Sequence, residues 1–152
     1  MKEEILEKIR TELKDKLDRL TKAAMEAHAA ATDPGSKAES KYDTRNLEAS
    51  YLATGQAKQV QELADAVRIF DGLTLPEFSM EDAVDAGALV EVDAAGESQF
   101  YLLVPAAGGL AVFHDGVEIT LLSPESALYR GLVGMKIGDE LDAPALMVME
   151  IS

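Results

Sequence analysis

The stretch Asp33-Pro34-Gly35-Ser36 decides the fold of the first half of the chain. Proline followed by glycine ends a helix and makes a turn. On both sides of this turn, apolar residues recur at helical spacings among charged ones. Before the turn they are Leu6, Ile9, Leu13, Leu17, Leu20 and Ala24, and after it Ala49, Leu52, Val60, Leu63, Val67 and Phe70. Because so short a turn makes two helices antiparallel, the pattern predicts a coiled-coil hairpin with helices from about Lys2 to about Ala31 and from near Ser36.

The pattern changes after the helix-breaking segment 71–76, where short alternating or β-rich runs begin. The predicted strands are 88–92, 99–104, 110–113, 117–122 and 146–151. Asp115-Gly116 is a two-residue hairpin signal. Ser123-Pro124-Glu125 has the pattern of an N-cap with proline at the first helical position, which predicts a short helix through about Tyr129. We therefore predict an α+β chain, with the hairpin over 1–72 and a small, mainly antiparallel β-domain over 77–152.

Composition excludes several kinds of site. The 152 residues are 47% apolar and 28% charged, and they include no cysteine. Disulfides and thiolate metal sites are therefore excluded, and only His28 and His114 could supply imidazole ligands. The sequence has no apolar run of membrane-spanning length and no basic-then-apolar leader, so we expect a cytoplasmic protein with no membrane partner.

The net charge of −14 is unevenly distributed along the chain. Residues 1–76 have a net charge of −2, whereas residues 77–152 have a net charge of −12. An acidic surface repels phosphate backbones, so we expect no autonomous binding of DNA. The acidity of the second half can serve solubility, or it can dock a basic protein surface.

The hairpin and one segment of the second half together resemble the bacterial Gre transcript-cleavage factors, over nearly the whole chain. The segment is S-P-E-S-A-L-Y-R-G-L-V-G-M-K-I-G-D-E-L, from Ser123 to Leu141. In the family it reads Ser-Pro, an Ala-Leu pair, Gly-Lys-Lys and then Val-Gly-Asp-Glu-Val, and Met135 here replaces the first lysine. In this segment we expect Gly134 and Gly138 to permit turns and Ile137 and Leu141 to fill a core.

The resemblance implies a fold and a function. The fold is a helical hairpin followed by an FKBP-like domain. The function is that of a bacterial transcription elongation factor, an accessory protein and not an enzyme, which binds RNA polymerase and inserts its hairpin into the secondary channel. Acidic residues at the hairpin tip then help to hold a magnesium ion in the polymerase active site. With this ion, the polymerase cleaves its own backtracked RNA. No intrinsic cofactor is implied, and the RNA 3′ end is met only within the polymerase complex.

The family's tip motif, Gly-Asp-Leu-x-Glu-Asn-Ala-Glu-Tyr, can be compared with this chain position by position. Gly35 matches the glycine, Ser36 stands in place of the first aspartate, and Glu39 matches the glutamate. Asp33 or Asp43 could replace the missing carboxylate. The resemblance therefore makes Glu39 and Asp33 the candidate catalytic residues, with Glu39 the candidate contact to polymerase-bound magnesium.

Two features of the tip have a structural interpretation as well as a functional one. Residues 36–39 fit a capping box, in which Ser36 and Glu39 satisfy backbone amides of the second helix. Lys37, Lys41 and Arg45 recur every four residues and so share one helix face. That face is either solvated, or it is a basic stripe near the RNA 3′ end that would make the protein an occluder of the channel.

Three alternatives stay open. The first is a non-cleaving regulator of the Rnk type, which is similar in its C-terminal domain but usually has a shorter hairpin. The second is a prolyl isomerase of the FKBP type, although the second half has few aromatic residues and the chain has no tryptophan for a pocket floor. The third is a self-associating coiled coil, against which the short turn favours an intramolecular hairpin and a monomer.

Overall fold

The computed structural model describes residues 2–32 and 44–152, with side chains for 2–26, 55 and 57–152. The elements in chain order are α1 (Lys2–Thr32), α2 (Thr44–Asp71), β1 (Leu89–Ala94), β2 (Glu97–Leu103), β3 (Ala111–His114), β4 (Val117–Leu122), α3 (Ala127–Leu132), β5 (Glu140–Asp142) and β6 (Ala145–Ile151). Contacts divide the chain into two compact units. One consists of Met1–Ile9 with Ile69–Ser152, and the other is Arg10–Arg68. No helix in the described part of the chain is long and apolar enough to cross a membrane.

The first two helices form the predicted hairpin and, with the β-domain, confirm the α+β class. The heptad pattern explains the length of α1, because its apolar positions are withdrawn from solvent. Leu13 is buried, and Leu17, Leu20 and Ala24 are half-buried. The predicted turn at residues 33–36 and the start of the second helix lie outside the described residues. The second helix ends at Asp71, directly before Gly72.

The β-domain is built on a six-stranded sheet in the order β3-β4-β2-β1-β6-β5. Four strand pairs are antiparallel, and only β2 and β4 run parallel, which confirms the mainly antiparallel prediction. The hairpin between β3 and β4 turns at Asp115 and Gly116, whose φ angles are 51° and 77°. Two consecutive positive φ angles define the turn type that matches the twist of paired strands, so the Asp-Gly signal is also confirmed.

The two faces of this sheet have different surroundings. The face that packs against α3, here called the helix-side face, contributes Val90, Val92, Leu103, Leu122 and Val148 to a core that also includes Leu132 of α3. On the opposite face, the half formed by β2, β3 and β4 buries Leu102, Val112, Ile119 and Leu121. In the same compact unit, Ile5, Leu6 and Ile9 of α1 are also buried. The first turns of α1 thus belong to the β-domain.

The sequence-based prediction of the short helix was wrong in its N-cap. The backbone N–H of Ser126 donates to the Ser123 carbonyl at 2.9 Å, so residues 123–126 form a β-turn with Pro124 at its second position. The hydroxyl of Ser126 then accepts from the backbone N–H of Tyr129 at 3.4 Å, and the helix begins one residue after Ser126. Ser-Pro suits both a turn and a helix start, which is why the pattern misplaced the cap.

Two further details differ from the sequence-based expectations. Strand β5 was not predicted, because three residues are too few to show a period of two. Ile137 was expected in the core but is 37% exposed, whereas Leu141 packs against the core as expected. The predicted domain boundaries, 1–72 and 77–152, concern independent folding, which contacts do not test, and they stay a prediction.

Candidate functional site

The residues predicted to form the hairpin tip are not among those whose side chains the structure describes. Asp33, Ser36, Lys37, Glu39, Lys41 and Asp43 lie outside the described residues, and Arg45 lies in a part of α2 where only the backbone is described. The predictions that Glu39 and Asp33 act on a magnesium ion, and that the basic residues form a stripe, therefore stay predictions.

The segment Ser123–Leu141 folds as one connection between the sheet and its last hairpin. After α3, the N–H of Gly134 donates to the carbonyl of Val84 at 2.8 Å, and the N–H of Gly138 donates to the carbonyl of Val148 at 2.7 Å. Gly138 has a φ of 92°, a conformation that favours glycine. Met135, where the Gre pattern has lysine, is buried in the core. Backbone hydrogen bonds thus tie the segment both to the residues before β1 and to β6.

The exposed end of this segment carries a turn that is reinforced by side chains. Arg130 donates to the backbone carbonyls of Pro124 and Glu125, both at 3.0 Å. A hydrogen bond from the Ser123 hydroxyl lowers the pKa of the Glu125 carboxyl, because it stabilises the charged form. The turn therefore presents an ionised carboxylate on a fixed backbone.

A buried lysine holds the start of α1 against the β-domain. The ammonium group of Lys2 donates to the carbonyl oxygens of Pro76 at 2.6 Å and Gly87 at 2.8 Å, and it lies 4.8 Å from the centre of the Phe78 ring. Only 5% of the residue is exposed. Burial lowers the pKa of Lys2, and the nearby carboxylate of Glu77 partly opposes this shift. The site is a structural anchor, since both acceptors are backbone carbonyls.

A second anchor surrounds the buried His114. Lys8 donates to the Phe113 carbonyl at 2.9 Å and contacts Nδ1 of His114 at 3.2 Å. Because an ammonium group can only donate, Nδ1 is the acceptor in this contact. Nε2 faces carboxylate oxygens of Glu4 at 3.6 Å and Asp115 at 3.4 Å. The imidazole thus links α1 to the β3–β4 hairpin.

Sequence reasoning missed both anchors. Lys2 was only the predicted start of a helix, and His114 was considered only as a metal ligand. The partners of Lys2 are 74 and 85 residues away, and Lys8 is 106 residues from His114. A pattern of neighbouring residues in the sequence cannot indicate contacts between residues so far apart in the chain. An early signal would have been the combination of Lys2 and Lys8 in the first two turns of α1 and a histidine at an inward strand position.

Two surface cavities of the β-domain are lined entirely by described residues. The larger, of about 520 Å³, lies where the parallel pairing of β2 and β4 begins, and Phe100, Tyr101 and Thr120 help to line it. The Tyr101 hydroxyl donates to Gln99 at 2.5 Å, and burial raises the pKa of Tyr101. The smaller, of about 360 Å³, lies at the end of β1 and the β5–β6 hairpin. Among the described side chains, no group of three or more His, Asp or Glu residues is placed to hold a metal ion.

The chain matches no protein-family model, and no curated protein is significantly similar to it in sequence. Among solved structures, it is similar to GreA factor homolog 1 (Gfh1) of Thermus thermophilus, with 22% identity over 94% of each chain and a TM-score of 0.37. A structure of the transcription factor Gfh1 is 21% identical over 93% of this chain and 92% of that one, with a TM-score of 0.38. Gfh1 of Thermus aquaticus is 19% identical over the same shares, with a TM-score of 0.37. These identities and TM-scores are too low to indicate a function for this chain.

Proposed function

We propose that this chain is a Gre-like transcription factor that binds RNA polymerase. Its hairpin enters the secondary channel and modulates cleavage of backtracked RNA, by stimulating or by blocking it. One observation carries the proposal. The Ser123–Leu141 segment, which resembles the Gre pattern, forms a turn, helix α3 and the start of β5 in a β-domain that follows two long helices. The chain is then an accessory factor of the polymerase active site and not itself an enzyme.

The chemistry of this proposal belongs to the hairpin tip. Glu39, with Asp33, would offer carboxylate oxygens to a magnesium ion shared with the polymerase. That ion would supply a bound water and charge stabilisation at the phosphate. Ser36 stands where the Gre pattern has an aspartate, and a hydroxyl supplies no negative charge. We therefore expect polymerase binding to persist more surely than cleavage.

The basic residues near the tip support a second outcome of polymerase binding, in which the hairpin blocks the channel and RNA cleavage is not stimulated. Lys37, Lys41 and Arg45 would face the RNA 3′ end or an acidic loop of the polymerase, and they would offset the tip carboxylates. A tip with less negative charge retains magnesium less well and blocks the channel instead. The RNA is met only within the polymerase complex, because the net charge of −14 opposes autonomous binding of nucleic acid.

Helix length favours this proposal over a regulator of the Rnk type, which usually has a shorter hairpin. Helix α1 has 31 residues and the described part of the second helix has 28. Nothing in the described residues favours a prolyl isomerase, since the larger cavity is lined mainly by polar and small side chains. We further propose a bacterial, cytoplasmic monomer without an intrinsic cofactor.

A cleavage assay on stalled elongation complexes tests the proposal. We compare the wild type with Glu39→Ala, with Asp33→Ala, and with Glu62→Ala as a control that removes an exposed carboxylate of α2. RNA shortening that is lost in Glu39→Ala and kept in the control identifies a cleavage stimulator. Inhibition without shortening identifies an occluder. A wild type that changes neither shortening nor elongation contradicts the proposal.

A further inference from the structure

One half of the sheet face opposite α3 is strongly acidic. Cα partners in a ladder share a face, and the register places Glu91, Asp93, Glu140, Asp142 and Glu150 on this face of β1, β5 and β6. We call these five residues the acidic sheet face. None of them forms an ion pair with a described lysine or arginine. The six strands contain no lysine or arginine at all.

The arrangement of these carboxylates costs stability. Glu91 and Glu150 are direct Cα partners across the antiparallel β1–β6 pair. Like charges directly opposite each other destabilise a sheet, and opposite charges at such positions stabilise it. A repulsive pair of side chains that no other contact in the molecule compensates is typical of a functional surface. A cationic group from outside would remove the repulsion.

The acidic sheet face also has an apolar floor and a cavity. Phe100 is the Cα partner of Glu91, and Met147 lies between Asp93 and Glu140 in adjacent strands. Both apolar side chains are half-buried. Met147 and three of the five carboxylates line the cavity of about 360 Å³. The surface can therefore receive side chains that combine a positive charge with an apolar stem, as lysine and arginine do.

We propose that the acidic sheet face docks a segment of a partner protein that is rich in lysine and arginine. Nucleic acid and anionic lipid have the same sign of charge as this face, so both are repelled. A second copy of the chain carries a net charge of −14 and is repelled as well. The docking surface stands on the geometry of the β-domain, and only the identification of its partner as RNA polymerase rests on the proposed function.

Two variants with equal net charge test the docking surface. The first, E91Q/E140Q/E150Q, neutralises three residues of the acidic sheet face. The control, E77Q/E81Q/E125Q, neutralises three exposed glutamates elsewhere in the β-domain. Both have a net charge of −11, three units less negative than the wild type at −14. The probe is a short fluorescein-labelled peptide of alternating lysine and leucine, and its affinity for each full-length protein is measured by anisotropy.

The first variant should bind the peptide about tenfold more weakly than the wild type, because three charge contacts are lost, and the control should change little. The first variant should also melt about 1–4 °C higher, because the repulsion between Glu91 and Glu150 is removed. Equal weakening in both variants would show that net charge alone drives binding and would overturn the docking surface. So would unchanged binding in the first variant.

A second comparison separates this inference from the proposed function. Each protein is also tested for retention on immobilised RNA polymerase. In one outcome, the peptide binds in a way that depends on the acidic sheet face while the wild type is not retained on polymerase. This result upholds the docking surface and contradicts the proposed function. If both variants are retained on polymerase as well as the wild type is, and all three proteins bind the peptide equally, the proposed function is upheld and the docking surface is overturned.

Discussion

Replacing Lys2 with methionine should destabilise the β-domain, although the residue lies in the first turn of a helix. Methionine keeps most of the apolar stem and removes the ammonium group. The two carbonyl oxygens that accept from Lys2 then lose their donor. The bond to Gly87 is buried, so water cannot easily replace it, whereas Pro76 is exposed and its carbonyl can be rehydrated.

The size of the effect follows from these contacts. Leaving the Gly87 carbonyl unsatisfied costs about 1–3 kcal/mol. Losing the interaction with the Phe78 ring, 4.8 Å away, costs about 0.5–1 kcal/mol more. Removing a buried charge offsets part of this loss, because its desolvation cost disappears. We expect a net loss of about 2 kcal/mol, which corresponds to a decrease in Tm of about 4–8 °C for a chain of this size.

Thermal unfolding followed by circular dichroism measures this loss, with Lys16→Met as the control. Lys16 lies on the same helix but is exposed, so its replacement should change stability by less than about 0.5 kcal/mol. A Lys2→Met variant as stable as Lys16→Met would refute the reasoning. The pH dependence gives a second check. Because burial lowers the pKa of Lys2 below 10.5, the unfolded chain binds more protons in the window between the two pKa values. The Tm difference between wild type and Lys2→Met should therefore widen as the pH rises towards 10.5.

Three other substitutions have expected outcomes in the same unfolding assay. Gly55→Ala should stabilise the hairpin by about 1 kcal/mol, because a Cβ there meets no atom within 4 Å and alanine favours a helix; a decrease in Tm would contradict this. Gly87→Ala should cost more than the roughly 1–2 kcal/mol of Gly109→Ala, since both have positive φ but only at Gly87 does the new Cβ run into the ring of Pro76; equal costs would count against that contact. Ser126→Ala should cost about 1 kcal/mol and Ser123→Ala less, because Ser126 is the N-cap of α3; the reverse order would restore the original prediction.

Much of the fold could be predicted because it is encoded locally. The seven-residue repeat of leucines predicted a long first helix, and the structure has α1 over Lys2–Thr32 with the same apolar stripe withdrawn from solvent. The Asp115-Gly116 signal predicted its hairpin for a similar reason, because aspartate and glycine both adopt positive φ angles more readily than most residues. Five of the six strands in the described part of the chain were also predicted, with β4 matched at both ends and the others shifted by at most two residues.

What could not be predicted depends on partners far along the chain. Lys2 is buried because the carbonyls of Pro76 and Gly87 meet it, and no spacing near residue 2 indicates them. The acidic sheet face is visible only when the register aligns Glu91 with Glu150. The N-cap of α3 was misplaced because Ser123-Pro124 is compatible with both a turn and a helix start. The tip carboxylate Glu39 lies outside the described residues, so its role stays a prediction.

The central claim is that this chain binds RNA polymerase, and a native gel of the purified protein with bacterial core polymerase tests it most directly. We expect a shifted band that contains both proteins at near-equal amounts, and that persists in Glu39→Ala because tip chemistry follows binding. A chain that leaves the mobility of the polymerase unchanged, with no protein retained in the polymerase band, would contradict the account.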